Sequence, residues 1–186
     1  MLNVAYLLFI FLTGFMVPFS YYMVTMNGSG YFPVESKSYI ESPYWLDLGL
    51  LSRKVLVSFQ VLAAIGYLVF QIWISFELDT FTGLLSNRVY LVILELALLT
   101  SASLWPIGAY FVLKYPANII STWLTCMTLW VTAACGLIYY FAFFQEQAPF
   151  YIMTSSFFFC LIVVGADGIV WSALCFRRLL RQLHYI

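Results

Sequence analysis

The chain has 186 residues, of which 64% are hydrophobic and only 9% charged, with eight basic and eight acidic side chains. Its mean hydropathy of +0.96 is too high for a water-soluble domain with a charged surface. The composition predicts one polytopic membrane domain over residues 1–186, with the lipid bilayer as its surroundings. The basic residues are dispersed along the chain, so nucleic acid is not expected as a partner.

Five stretches are long and apolar enough to cross a hydrocarbon core about 30 Å thick. They predict an all-α bundle of five transmembrane helices over residues 2–25, 55–76, 89–113, 119–144 and 150–176. Pro18 falls inside the first helix and is expected to kink it.

The longest polar connection is predicted over residues 27–54, as a polar and interfacial loop. Gly28, Gly30 and Pro33 disfavour a helix at its start. Tyr44 and Trp45 are aromatic residues of the kind that prefer the headgroup level of a bilayer.

The sequence also predicts the structure of two shorter segments. Residues 114–118 contain Pro116 and are too few for anything but a tight turn, so the third and fourth helices should form an antiparallel hairpin. Residues 177–186 are basic and amphipathic, and are expected to continue the last helix as a tail on the membrane surface.

The basic residues near the helix ends predict the orientation of the chain. With the C-terminus in the cytoplasm and the N-terminus outside, Arg88 alone falls on the outer side. The other seven fall on the cytoplasmic side: Lys37, Arg53, Lys54, Lys114, Arg177, Arg178 and Arg181.

Asp167 is the residue in this sequence that is hardest to place in a bilayer. It lies about 14 Å inside the basic end of its helix, too deep for its short side chain to reach water. Two interpretations stay open. Asp167 either forms a structural contact, with Lys54, Lys114 or hydroxyl groups as partners, or binds a proton or cation. Gly165 and Gly168 beside it permit close helix packing or a small cavity.

Glu95 lies about 9 Å inside the opposite end of its helix, with Arg88 seven residues before it on the same face. It either reaches the outer interface with Arg88 as its partner or coordinates a cation at an outer vestibule. The vertical offset from Asp167 is roughly 10 Å, which disfavours a catalytic carboxylate pair.

The fourth helix carries a stripe of small polar residues at steps of three and four: Ser121, Thr125, Thr128 and Thr132. Such a stripe favours tight helix packing, with a hydroxyl-lined permeation path as the alternative. Leu124 and Leu129 are expected on a more lipid-exposed face.

Other chemistry has little support in the sequence. The four cysteines lie in apolar segments without metal-binding spacing, and the single histidine is His184. We therefore expect no metal site, no cofactor and no enzymatic activity.

Two functions remain as expectations. The first is an oligomeric channel or transporter for cations or protons that uses the intramembrane carboxylates, with any pore formed between copies of the chain. The alternative is a non-catalytic structural or accessory subunit whose buried polar groups are satisfied by other membrane subunits.

Overall fold

The computed structural model describes residues 3–25, 40, 45 and 48–184. Of these residues, 88% are helical and none lies in a strand. Within the same part of the chain, five helices are long and apolar enough to span a membrane, as the sequence predicts. The all-helical class and the number of long apolar helices are therefore confirmed.

The bounds of the elements lie close to the predicted ones. In chain order they are α1 (Val4–Gly14), α2 (Met16–Thr25), α3 (Leu50–Glu77), a short 3₁₀ turn (Leu84–Ser86), α4 (Arg88–Lys114), α5 (Ile119–Gln145), α6 (Phe150–Leu161), a π-helical segment (Ile162–Trp171) and α7 (Ser172–His184). We call Ile162–Trp171 the π segment, and α1 with α2 the first long helix.

The first long helix is interrupted at Phe15, between α1 and α2. Pro18 lies three residues further on, has no backbone N–H, and its ring crowds the carbonyl of the residue four positions before it, which is Gly14. The interruption therefore falls within one turn of the residue that was expected to distort the helix. Asn3 stabilises the start of α1, because its Oδ1 accepts a hydrogen bond from the Tyr6 amide at 2.9 Å.

The start of α3 corrects part of the predicted loop. Residues 50–54 are helical, whereas the sequence placed them in the loop that ends at residue 54. Arg53 is accommodated there because its guanidinium donates to two backbone carbonyls, Leu48 O at 2.7 Å and Ile40 O at 3.1 Å. Most of the remaining loop, including Lys37, lies outside the described residues.

Trp45, which was expected near the headgroup level, packs inside the protein. It is fully buried, and its ring lies 5.5 Å from that of Trp171. Trp171 in turn contacts Trp105 at 5.1 Å. Ring packing within the protein thus places this tryptophan in the core.

The connection between α4 and α5 confirms the predicted hairpin. Only residues 115–118 separate these helices, which pack along one another. Asn118 caps α5, because its side-chain oxygen accepts from the amides of Ile120 at 2.9 Å and Ser121 at 3.2 Å.

The other helices pack around this hairpin at close range. α2 lies against α4, α3 against α6, and the π segment against α5. At the α3–α6 contact a Cβ built on Gly66 would lie 2.7 Å from the Ser155 carbonyl oxygen, so the two backbones approach as closely as a glycine permits.

The last helix is continuous from Phe150 to His184, which confirms that the basic tail continues it. A helix of this length extends beyond a hydrocarbon core about 30 Å thick. Its ten-residue π segment was not predicted from the sequence.

Candidate functional site

The first buried carboxylate, Glu95 on α4, has a complete set of hydrogen-bond partners. Its Oε1 accepts from the Tyr67 hydroxyl of α3, and its Oε2 accepts from Gln71 Nε2 at 2.7 Å and from the Tyr139 hydroxyl of α5. Tyr6 of α1 extends the network, because its hydroxyl donates to Gln71 Oε1 at 2.6 Å. The network therefore joins α1, α3, α4 and α5 in the interior of the bundle.

This arrangement contradicts one of the two interpretations of Glu95, the one in which Arg88 is its partner. The Arg88 guanidinium forms an ion pair with Asp79, and both side chains are exposed. Arg88 begins α4 and Glu95 lies two turns inside it, where α3 and α5 supply donors at shorter range. Glu95 is fully buried behind these donors.

Sequence reasoning missed the partners of Glu95. Tyr67 and Gln71 are spaced four residues apart on α3, so both point from one face of an otherwise apolar helix. That spacing is a signal that could have found them. Tyr6 and Tyr139 carry no comparable signal, since tyrosine is abundant in this chain, with 14 residues.

The polar stripe of α5 takes part in helix packing. Each of its hydroxyls donates to a backbone carbonyl of its own chain segment: Ser121 to Asn118 at 2.9 Å, Thr125 to Ser121 at 2.7 Å, Thr128 to Thr125 at 2.8 Å and Thr132 to Thr128 at 3.0 Å. In addition, the hydroxyl oxygens of Thr132 and Ser101 lie 2.8 Å apart across the α4–α5 contact.

One residue near the stripe was assigned to the wrong surface. Leu124 is exposed as expected, but Leu129 is fully buried in a cluster with Trp105 and Trp171. Successive helix positions are about 100° apart, so Leu129 faces α4 and the π segment while Leu124 faces outward.

The second buried carboxylate, Asp167, has no such partners. Its side chain is only 8% exposed, and its Oδ1 is buried without a hydrogen bond. No ion pair joins it to another described residue, so neither of the expected basic partners reaches it. Lys54 is exposed near the start of α3, and the Lys114 ammonium lies over the rings of Tyr110 and Tyr115, at 5.7 and 5.4 Å from their centroids.

Asp167 lines an open cavity of about 760 Å³ between the helices. All five long helices contribute to its wall, and most of the lining is aliphatic or aromatic. Asp167 is the one charged side chain among the described residues that line it, and Gln60, Thr132, Tyr21, Tyr22 and Tyr67 add neutral polar groups.

The cavity opens sideways between the first long helix and α3. Phe11 and Phe15 line it from one side and are 60% and 65% exposed, and Val61 lines it from α3 and is also exposed. These side chains belong to the apolar stretches of their helices. If those helices span a bilayer, the opening therefore faces lipid.

The π segment places Asp167 at this wall. A Cβ on Gly168 would lie 3.2 Å from the Ala133 Cβ, so the segment packs closely on α5 on that side, and the Gly168 carbonyl accepts from Trp130 Nε1 at 3.2 Å. A Cβ on Gly165 would meet no other atom within 4 Å. Of the two alternatives given for the glycines, Gly168 shows the close packing, and neither glycine is among the residues that line the cavity.

Aromatic contacts fix another part of the cavity wall. Trp105 Nε1 donates to the Tyr21 hydroxyl at 2.8 Å, with the two rings edge to face at 5.9 Å. Tyr67 lies between the two carboxylate sites, because it lines the cavity and also donates to Glu95. Sequence reasoning found Asp167 but none of these aromatic residues.

Within the described residues no three His, Cys, Asp or Glu side chains lie close enough to hold a metal ion. The chain matches no protein-family model, no curated protein and no solved structure. The fold and the site together define an all-helical protein with five helices able to span a membrane and an open, mainly apolar cavity in which Asp167 is the one carboxylate among the described lining residues.

Proposed function

We propose that the chain spans a bilayer five times, with its N-terminus outside and its C-terminus in the cytoplasm. The distribution of charge supports this orientation. In the described part of the chain, Arg88 lies at one end of the bundle, and the opposite end carries Arg53, Lys54, Lys114, Arg177, Arg178 and Arg181.

The proposed function is the transport of protons or a cationic solute, with Asp167 as the binding group. One observation carries it: a buried carboxylate, on a helix long and apolar enough to span a membrane, lines a cavity and has no hydrogen bond or ion pair from the described residues. Charged groups in such positions are costly and are commonly found where an ion or a proton is handled. The proposal assigns no catalytic chemistry and no cofactor to the chain.

The cavity leads us to propose a transport path within one chain rather than between copies of it. Sequence reasoning placed a pore between copies of the chain, on the argument that five helices leave little room inside one. The observed cavity lies within a single chain, so the proposal needs no second copy. A homo-oligomer remains part of the proposal only as an assembly of chains that each hold a site.

The alternative is an accessory subunit of a larger membrane complex. In that case a basic group of another subunit would enter through the opening between the first long helix and α3 and pair with Asp167. The unpaired Asp167 oxygen is the observation that favours this alternative as well.

Flux measured in liposomes separates the transport function from the accessory-subunit alternative. The purified chain is reconstituted with a pH-sensitive dye inside, and proton and monovalent cation fluxes are recorded after a gradient is imposed. Asp167→Asn should abolish or strongly reduce the flux, because the amide keeps the shape of the side chain and removes its charge. The control is Asp79→Asn, the same change at an exposed aspartate, which should retain the flux. A native protein without proton or cation flux would rule out this transport function.

A further inference from the structure

The dimensions and lining of the cavity indicate the class of molecule that it holds. Its volume of about 760 Å³ lies in the range of sites that bury ligands of drug size. An inorganic cation would use only a small part of this space, and would find one carboxylate and mostly apolar walls. The ligand should therefore have an apolar body much larger than its charged group.

The position of Asp167 defines the polar part of that ligand. A buried carboxylate oxygen without a donor is stabilised by a group that supplies both a positive charge and an N–H. A protonated amine supplies both. Tyr21, Tyr67 and Trp105 line the same cavity, and aromatic rings favour a nearby cation as well as an apolar body.

The opening indicates how such a molecule enters. Phe11 and Phe15 are mainly exposed where they line the cavity, on the side between the first long helix and α3. An amphipathic amine partitions into the lipid and reaches this opening without crossing the charged ends of the bundle.

We infer that the cavity is a binding site for a lipophilic amine, which enters from the bilayer and pairs its ammonium group with Asp167. This inference rests on the proposed role of Asp167 as the binding group and names the class of its ligand. An acyl chain of a lipid and an apolar helix of a second chain are the competing occupants, and neither supplies a positive charge to the carboxylate.

A pair of matched fluorescent probes tests the inference on the full-length chain in phosphatidylcholine nanodiscs. The probes are 1-pyrenemethylamine, which is cationic, and 1-pyrenemethanol, which has the same ring system and no charge. Binding is followed by quenching of tryptophan fluorescence, since Trp105 lies in the cavity wall, and empty nanodiscs correct for partitioning into lipid. The amine should bind saturably and about tenfold more tightly than the alcohol, which is the effect expected of one hydrogen bond to a charged group.

Variants connect this binding to the cavity. Asp167→Asn should remove the preference for the amine and leave binding of the alcohol nearly unchanged. Ala102→Phe places a ring in the cavity and should weaken binding of both probes, whereas Ala134→Phe, the same change on the exposed face of α5, should not. If Asp167→Asn does not fold, two tests of amine binding in the cavity remain. They are the comparison of the two probes on the native chain and the two alanine substitutions.

Several results would overturn the inference. Equal affinity for the amine and the alcohol would assign the cavity to an apolar occupant such as an acyl chain. Quenching that never saturates, or that Ala102→Phe leaves unchanged, would show that the probes do not enter the cavity. Binding is measured without a gradient, so it is independent of flux. Saturable amine binding without flux of protons, monovalent cations or the amine itself would uphold the ligand class and reject transport. Proton flux without amine binding would uphold transport and reject the ligand class.

Discussion

At the scale of single residues, the two buried carboxylates differ in the groups around them. Glu95 accepts hydrogen bonds from Tyr67, Gln71 and Tyr139, whereas Asp167 Oδ1 accepts none from the described residues. A buried charge that has several donors stabilises the arrangement of helices that supplies them. A buried charge that has no donor is costly to the fold, and this cost is the reason to assign it a function.

The Glu95 network gives a prediction for Tyr139. Tyr139→Phe removes one of the three donors to a fully buried carboxylate and should lower the free energy of unfolding by about 1–3 kcal/mol. Tyr140→Phe is the same change one residue away, outside the network, and should cost less than about 0.5 kcal/mol. Equilibrium unfolding in mixed detergent micelles would measure both, and equal losses would show that the network contributes little.

A second residue prediction concerns the polar stripe. Thr132→Val and Thr128→Val both remove a hydroxyl that donates to the backbone of α5, but only Thr132 also lies within hydrogen-bonding distance of Ser101 on α4. Thr132→Val should therefore lower the free energy of unfolding by about 1 kcal/mol more than Thr128→Val. The same unfolding assay tests the difference, and a larger loss for Thr128→Val would argue against a packing role.

At the scale of helices and their contacts, close approach of backbones holds the bundle together. Gly66 permits contact between α3 and the Ser155 carbonyl of α6, and Gly168 permits contact between the π segment and Ala133 of α5. Small residues at helix contacts have this role in membrane proteins, where apolar packing against lipid competes with apolar packing against protein.

Gly66, at the α3–α6 contact, and Gly165, in the π segment, should respond in opposite ways to substitution by alanine. Gly66→Ala places a Cβ 2.7 Å from a backbone oxygen, so the helices must separate and the free energy of unfolding should fall by about 1–3 kcal/mol. Gly165→Ala meets no atom within 4 Å and should be neutral or raise stability by up to about 1 kcal/mol, because alanine favours a helix more than glycine does. Thermal unfolding followed by tryptophan fluorescence would compare them, and a Gly66→Ala variant as stable as the native chain would contradict the close contact.

How much the sequence predicts depends on whether a feature is local. Helix length and apolar character are local, so five helices and the α4–α5 hairpin were predicted with bounds near the observed ones. The start of α3 was placed five residues late because Arg53 and Lys54 were treated as the end of the helix, although Arg53 bonds to backbone carbonyls beside it. The π segment has no pattern of polar and apolar residues that separates it from an ordinary apolar helix.

The candidate site was predicted only in part, for a related reason. Asp167 was found because a charge in an apolar stretch is visible in one segment alone. Its surroundings were not, since the cavity wall is assembled from all five long helices and Trp105 reaches Tyr21 across 84 positions of the chain. One of the two interpretations of Glu95 paired it with the nearest base in sequence, whereas its actual partners come from α3 and α5.

At the scale of the whole molecule, charge is distributed unequally between the ends of the bundle. In the described part of the chain, the end that carries Arg88 also carries Glu77, Asp79 and Glu146. Glu146 ties two connections together there, because its carboxylate accepts from the amides of Thr82 and Gly83. The basic residues near the other end support the proposed orientation.

Labelling of introduced cysteines tests that orientation. Thr80→Cys lies at the end proposed to be outside and Ala117→Cys at the end proposed to be cytoplasmic, and both positions are exposed. The four native cysteines are buried, so they should react little with a membrane-impermeant maleimide. On intact cells Thr80→Cys should be labelled at once and Ala117→Cys only after permeabilisation, and the opposite pattern would invert the topology.

The central claim is that Asp167 is an unpaired carboxylate held in the cavity for a ligand rather than for the fold. The most direct measurement is the free energy of unfolding of Asp167→Asn relative to the native chain, in detergent and without any ligand. An unpaired buried charge destabilises the protein, so its removal should leave stability unchanged or raise it. A fall of about 3–5 kcal/mol, the usual cost of breaking a buried ion pair, would show that Asp167 holds a structural partner and would contradict this account.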